Sequence, residues 1–450
     1  MKKLTLTVLI LGMLLCVSAC GIENISQIEP QSQNDIIRQY PNAKLLKLDN
    51  NTAALSGSAL KEYNYTWTFA PSMSEPEYSS EEPDASECYI AHDIVYYPEI
   101  DEEQFVMENY NGEMEWVTHY TAEGLEDSLF STLPVLGSEL PKNMMHSAEE
   151  AYRNPVLHIT QPGEYILEGS WNGQIIVDLG DKDECFADES KKVTLIMNGV
   201  NVNCTVAPSV IFYRLYECDY AWESRTEPIS SVDTTGAGAR VVLADGTENS
   251  FSGANVFRLL KPQDQNDSSK AQKKLYKADG AFYSCVSLEI DGSTGIMNIT
   301  GSTFEGLDSE LHLTINGGYV NIVSQDDGIN VNEDHVSVFA LNGGRVTIFA
   351  GQGAEGDVVD SNGYININGG IIAGASPSGA DEMLDSEDGT FVADGAVVIE
   401  NVAGIKGGMM RPDAPPGGFI PGGPQGEFNP GGPQGMMPPG NNDRPEPPDH

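Results

Sequence analysis

Four short stretches of this chain concentrate oxygen ligands. The first holds Glu305 and Asp308. The second holds Asp326, Asp327, Asn330 and Asp334, and the third Glu355, Asp357 and Asp360. The fourth holds Asp381 and Asp385, with Glu382 and Asp388 beside them. Between residues 301 and 405 there are 17 Asp and Glu against one Arg or Lys, Arg345, a local net charge of −16. Carboxylates brought close together repel one another unless a cation sits among them. A hard dication with about six to eight oxygen ligands removes that repulsion, and calcium tolerates irregular geometry better than magnesium does. These eleven residues are therefore the candidate calcium ligands. The spacing fits neither the twelve-residue calcium loop nor the nine-residue calcium repeat. The alternative is a set of solvated loop acids.

The elements that must position these acids follow from a repeat. Asn-Gly-Gly occurs at 316–318, 342–344 and 368–370, a period of 26 residues. Before each copy stand Leu313 and Ile315, Phe339 and Leu341, Ile365 and Ile367; after each come Val320, Val346 and Ile372. A fixed period of this length marks stacked coils, in which each repeat buries its apolar residues on the next. Leu288 and Ile290 form an irregular earlier copy with a longer turn. Acids at equivalent positions of neighbouring coils then lie about one strand spacing, ~4.8 Å, apart. Gly306, Gly328 and Gly356 are expected to allow tight bends that turn carbonyls toward an ion.

Composition bounds the partners. The net charge is −43, which repels nucleic acid and acidic lipid. It also repels an acidic polysaccharide unless cations lie between the two. Lys2 and Lys3 precede an apolar run from Leu4 to Val17, and Val17-Ser18-Ala19 leads to Cys20. That pattern is a secretory signal. It resembles the bacterial lipoprotein type, in which Cys20 is lipidated and holds the protein on the outer face of the cell membrane. Residues 21–40 read as a tether. Five of the seven cysteines lie beyond the signal, at 88, 185, 204, 218 and 285, with no Cys-x-x-Cys spacing. Buried thiols are the default for them, and a monomer is expected.

Residues 41–150 read as a β-rich N-terminal region. Tyr63, Tyr65, Trp67 and Phe69 alternate, and Asn111-Gly112 predicts a hairpin between 105–107 and 114–117. Ser147 to Tyr152 reads as a short helix start. Residues 261–278 form a polar insertion. The Gly/Pro-rich tail, 407–450, cannot build a core and is expected to be disordered.

Several motifs carry a resemblance. Gly163-Glu-Tyr-Ile-Leu-Glu-Gly169 with Asn172-Gly-Gln-Ile-Ile-Val-Asp178, Leu195-Ile-Met-Asn-Gly-Val-Asn-Val202 and Leu243-Ala-Asp-Gly-Thr-Glu-Asn249 are three of them. Asp279-Gly-Ala-Phe-Tyr283, Leu288-Glu-Ile-Asp-Gly292, the Asn-Gly-Gly coils, Asp326-Asp327-Gly328 and Asp360-Ser-Asn-Gly363 complete the set. Together, over about 155–405, they resemble a family of secreted bacterial carbohydrate-binding proteins that bind calcium and pectic polysaccharide (polygalacturonate). The resemblance implies an all-β chain built on a right-handed, single-stranded parallel β-helix, with calcium held at the acidic turns. Phe304-Glu305-Gly306 and Glu355-Gly356-Asp357 depart from the Asp-Asp-Gly pattern, which leaves the number of ions open.

The leading expectation is a non-catalytic, calcium-dependent protein for an acidic, pectic polysaccharide. A lyase or hydrolase on the same fold is the enzymatic alternative. A calcium-dependent lyase needs a basic residue near the ion, and Arg345 is the one Arg or Lys in this region. Gln325-Asp326-Asp327 resembles part of a polygalacturonase site, but the accompanying Gly-His-Gly and Arg-x-Lys elements are absent. The third expectation is a structural or adhesive envelope protein stiffened by calcium.

Overall fold

The computed structural model describes residues 33–66, 88–94, 105–110, 113–118, 133–134, 146–225, 227–255, 278–351, 356–375, 382–401 and 409–410. Cys20, Glu355 and Asp381, nearly all of the 261–278 insertion and the tail beyond 410 lie outside these residues.

The apolar period produces a parallel β-helix. Between Ala239 and Ser386 each coil places one strand in each of three parallel ladders, whereas Gly163–Asn172 and Val193–Asn203 each run through both the first and the second. Leu313–Ile315, Val338–Leu341 and Tyr364–Ile367 are successive rungs of the first ladder. Tyr319–Val323, Arg345–Phe349 and Ile371–Ala375 are rungs of the second. Leu307–Ser309, Ile329–Val331 and Val359–Ser361 are rungs of the third. The register equates Leu313 with Phe339 and Ile365, and Val320 with Val346 and Ile372, as the 26-residue period requires. Leu288 and Ile290 pair with Leu313 and Ile315, so the irregular copy is a true coil.

The core runs as columns along the stack. Ile290, Ile315, Leu341 and Ile367 form one column, and each is fully buried. Met297, Val320, Val346 and Ile372 form a second, also fully buried. Each such aliphatic side chain contributes about 1.5–3 kcal/mol on leaving water. Because every column continues into the next coil, the fold extends by repetition.

The Asn-Gly-Gly turns have a physical cause. Asn342 Nδ2 donates to Asn316 Oδ1 at 2.8 Å, and Asn368 Nδ2 to Asn342 Oδ1 at 2.9 Å. The row starts on carboxylates, with Asn316 Nδ2 donating to Glu289 Oε1 at 2.6 Å and Asp291 Oδ1 at 2.9 Å. The second glycine of each turn, Gly318, Gly344 and Gly370, has φ of +80°, +75° and +71°. Only glycine adopts that backbone without strain.

The sheet continues across the boundary at 150–155. Lys44–Asn50 pairs in parallel with Gly163–Asn172, and Tyr89–His92 pairs antiparallel with Val156–Ile159. Part of the N-terminal region thus covers the first coil. The hairpin is present as Phe105–Tyr110 against Glu113–Thr118. Ser147 caps the helix Ala148–Tyr152 in a reciprocal pair with Glu150. At the other end, Met409–Met410 pairs with Thr390 and Phe391 and extends the first ladder. Those two residues were expected to belong to a disordered tail; backbone pairing to an open rung holds them.

Candidate metal centres on the third face

The acids enter where the second ladder turns into the third. Ladder register gives these connections one rule, an acid followed three residues later by an acid or amide. Glu305 and Asp308, Asp327 and Asn330, Asp357 and Asp360, Glu382 and Asp385 obey it. Asp308, Asn330, Asp360 and Asp385 occupy one register position of four successive rungs. The carboxylates also tie the coils together. Asp357 N–H donates to Asp327 Oδ1 at 2.7 Å, and Glu382 N–H to Asp357 Oδ1 at 2.6 Å. Asn332 Nδ2 donates to Asp308 Oδ1 at 2.5 Å.

Two clusters result among the described residues. Oxygens of Asp279, Glu305 and Asp308 all lie within 4.8 Å of one another, and so do those of Asp357, Asp360 and Asp385. Asp279, Glu305 and Asp308 are 1%, 4% and 0% exposed, so water does not screen their charges. Asp327 stands between the clusters. Burial first, then the charges of Asp360, Asp326, Glu305 and Asp357, push its carboxyl well above the usual carboxylate range. Burial also raises Asp357, to about 7, with Asp360, Asp385 and Glu382 adding to the effect against the lowering by the Glu382 N–H.

The donor set fits calcium. Separations up to 4.8 Å are no more than about twice a calcium–oxygen bond of ~2.4 Å. Every donor is a hard oxygen, with no thiolate or imidazole to favour a softer metal. Asn330, 8% exposed, has a buried Oδ1 without a hydrogen-bond partner among the described residues. It lies on the rung between Asp308 and Asp360. A buried amide oxygen left unsatisfied costs about 1–3 kcal/mol, and a cation removes that cost.

Of the sequence candidates, Glu305, Asp308, Asp327, Asn330, Asp357, Asp360 and Asp385 come together. Asp326 is adjacent but outside both clusters. Asp334 is elsewhere: it follows the third-ladder strand and accepts from Asn362 Nδ2 at 2.8 Å. The sequence candidates omit Asp279. The register here steps by 25, pairing Tyr283 with Asp308, so Asp279 stands level with Phe304 and the Asn-Gly-Gly period does not find it. The glycines need correction too. Gly306, Gly328 and Gly356 do not have positive φ. A Cβ on Gly306 would stand 2.2 Å from Ile322 Cγ2, and one on Gly328 2.1 Å from Ile348 Cγ2. Close packing on the core below, and not a special bend, requires glycine there.

A second buried charge group lies where residues 215–238 cross the outside of the first ladder. Glu217, fully buried, accepts from Ser287 N–H and Oγ, both at 2.7 Å, and from Asp219 N–H at 2.8 Å. Asp219 pairs with Arg225 at 2.5 Å and with His312 Nε2 at 3.1 Å. Val338 N–H donates to His312 Nδ1 at 3.1 Å, which leaves the ring proton on Nε2, facing Asp219. Burial opposes ionisation of Asp219, but hydrogen bonds from His312 and Arg225 outweigh it and hold its carboxyl at about 2. Farther along, Asn366 Nδ2 donates to Ser230 O at 2.6 Å. This crossing segment is a strap fastened to several coils.

Residues 222–411 match the family model described as carbohydrate-binding domain-containing protein. The matched span includes both carboxylate clusters and most of the strap. Among solved structures, the chain is similar to the polysaccharide lyase-like protein from C. thermocellum, a gadolinium derivative. That similarity has 22% identity and a TM-score of 0.38, over 57% of this chain and 88% of that one. No curated protein matches.

Proposed function

We propose that this protein is a non-catalytic, calcium-dependent carbohydrate-binding protein for an acidic, pectic polysaccharide. It would be held on the outer face of the cell membrane through a lipid on Cys20 and act as a monomer. The match of residues 222–411 to a carbohydrate-binding family model supports the ligand class. The observation that carries calcium is the pair of carboxylate clusters with the unsatisfied Asn330 oxygen between them.

Asp279, Glu305 and Asp308 would hold one ion, and Asp357, Asp360 and Asp385 a second, with Asn330 and Asp327 between. A bound calcium ion neutralises these carboxylates and offers any open coordination position to sugar hydroxyls or uronate carboxylates. The chain's own part is to fix the donors on consecutive rungs. A binding role fits better than a lyase for a geometric reason. Arg345 begins the strand Arg345–Phe349, at the end away from the acidic connection. Four residues of extended strand, roughly 13 Å, separate it from Phe349, so it is not beside the carboxylates as a base must be.

The test is retention on insoluble polygalacturonate with calcium or with EDTA, with unsaturated and reducing uronate products assayed in the same tube. Calcium-dependent retention without product is expected. Product that tracks calcium would make the protein a lyase. Loss of all retention with calcium present would remove pectic polysaccharide as the ligand.

A further inference from the structure

Six arginines lie among the described residues, and five of them face an acid. Arg38 pairs with Asp35, Arg153 with Glu149, Arg214 with Asp178, Arg225 with Asp219 and Arg240 with Asp291. Arg345 is the exception. No ion pair or side-chain hydrogen bond engages its guanidinium among the described residues, and its Nε is buried without a partner. In a chain of 67 acids and 24 bases, an arginine left without a carboxylate is unexpected on statistical grounds alone.

Its position is equally specific. Arg345 lies on the outer face of the second ladder, level with Tyr319 on one neighbouring rung and Ile371 on the other. Thr347, two residues on and therefore on the same face, also has a buried side-chain oxygen, Oγ1, without a partner. Phe349 follows on that face. Burial alternates here, with Arg345, Thr347 and Phe349 half-buried outside while Val346 and Ile348 are buried inside. Two unsatisfied donors, a tyrosine ring and a phenylalanine ring thus share one face. A guanidinium presents a planar fork that matches a carboxylate, and flat aromatic rings offer an apolar surface to sugar C–H groups. The same burial that leaves Nε unsatisfied depresses the guanidinium's pKa, and a carboxylate would reverse this.

We infer that Arg345, with Thr347 beside it, is a carboxylate-reading subsite for a uronate-bearing glycan laid across the second ladder. The inference rests on the acidic-polysaccharide reading above and adds a contact that is independent of the metal. Calcium would draw the polymer's charge in general, whereas Arg345 would read one carboxylate in a fixed place.

The experiment is isothermal titration in calcium with oligogalacturonates and their fully methyl-esterified forms, on the wild type, R345K and R345Q. Terbium luminescence and melting temperature are measured on each variant. The expected result is a preference for the acid form in the wild type, about tenfold weaker acid binding in R345Q, and an intermediate loss in R345K, which keeps charge but not the fork. Terbium binding is expected to be unchanged in all three. If R345Q binds the acid form as the wild type does, the subsite is overturned while the calcium reading stands. A lower melting temperature in R345Q with unchanged affinity would make Arg345 a packing residue, which also overturns it. If the wild type binds neither form, both the subsite and the pectic reading fail.

Discussion

The strap and the third face both withdraw carboxylates from water, but they compensate them differently. Under the strap, Asp219 meets Arg225 and His312, and Glu217 receives three hydrogen bonds from Ser287 and Asp219. The result is a carboxyl held at about 2. On the third face, acids surround acids, and Asp357 rises to about 7. Burial acts in the same direction at both places, since desolvation disfavours the charged form. What differs is the sign of the neighbouring charge. The protein brings its own cation, Arg225, to the strap; on the proposed reading, the third face takes one from outside.

That comparison can be tested from its stronger side first. Replacing His312, fully buried, by Ala removes a donor to Asp219 and opens a cavity. We expect a loss of roughly 3–5 kcal/mol, measured by chemical denaturation and equal with calcium or EDTA. A calcium-dependent loss would mean that the two regions are coupled.

The pH dependence should separate them next. The Asp219 carboxyl is depressed from an unfolded value of about 3.9, so its stabilisation is full above about pH 4 and is lost as pH falls through about 2. It amounts to roughly 2–3 kcal/mol. Asp357 is raised, so the folded state holds its proton longer than the unfolded one. Its contribution therefore falls as pH rises from about 4 to about 7. In EDTA, melting temperature should decline between about pH 4 and 7. Saturating calcium should flatten or reverse that slope, because deprotonated ligands bind the ion. A decline of equal size in both conditions would remove the link to the metal.

Asp360→Asn sharpens the same point by a change of sign. In EDTA it relieves repulsion and should stabilise by about 1 kcal/mol; in calcium it removes a ligand and should destabilise by a similar amount. Destabilisation in both conditions would mark Asp360 as a structural hydrogen-bonding group only. The smallest effect concerns the turn row, which carries no net charge beyond its first carboxylates. Asn342→Ala removes two amide–amide hydrogen bonds at once and should cost about 0.5–1.5 kcal/mol. Asn368→Ala, which removes its bond to Asn342, should cost less, and equal losses would mean the row does not act as a ladder.

Much of this was legible in the sequence because the stack is nearly one-dimensional. The period between Asn316 and Asn342 fixes which residues share a rung, and the apolar columns follow from it. The site was legible only in part. The acids were visible, but their separation was not, because connections of unequal length join the ladders. Asp334 has the right chemistry and lies on the wrong side of a three-residue strand. Asp279 was hidden by the long insertion before it, which obscures the repeat. The strap's partners, Asp219 and His312, are 93 residues apart in the chain, and no periodicity links them. In the sequence Arg345 stood out only as the one Arg or Lys of the acidic region. Its unpaired state depends on the neighbouring rungs, which a single strand's sequence does not reveal.

The central claim is that the third face is completed by calcium, and calorimetric titration of metal-free protein in buffers of different ionisation enthalpy tests it most directly. The account predicts two ions per chain, release of protons near pH 7, and a melting temperature raised by roughly 10 °C or more at saturation. Asp308→Asn and Asp360→Asn should each weaken a different one of the two binding events. A flat titration, with no proton release and an unchanged melting temperature, would contradict the account and leave the buried acids as protonated hydrogen-bonding groups.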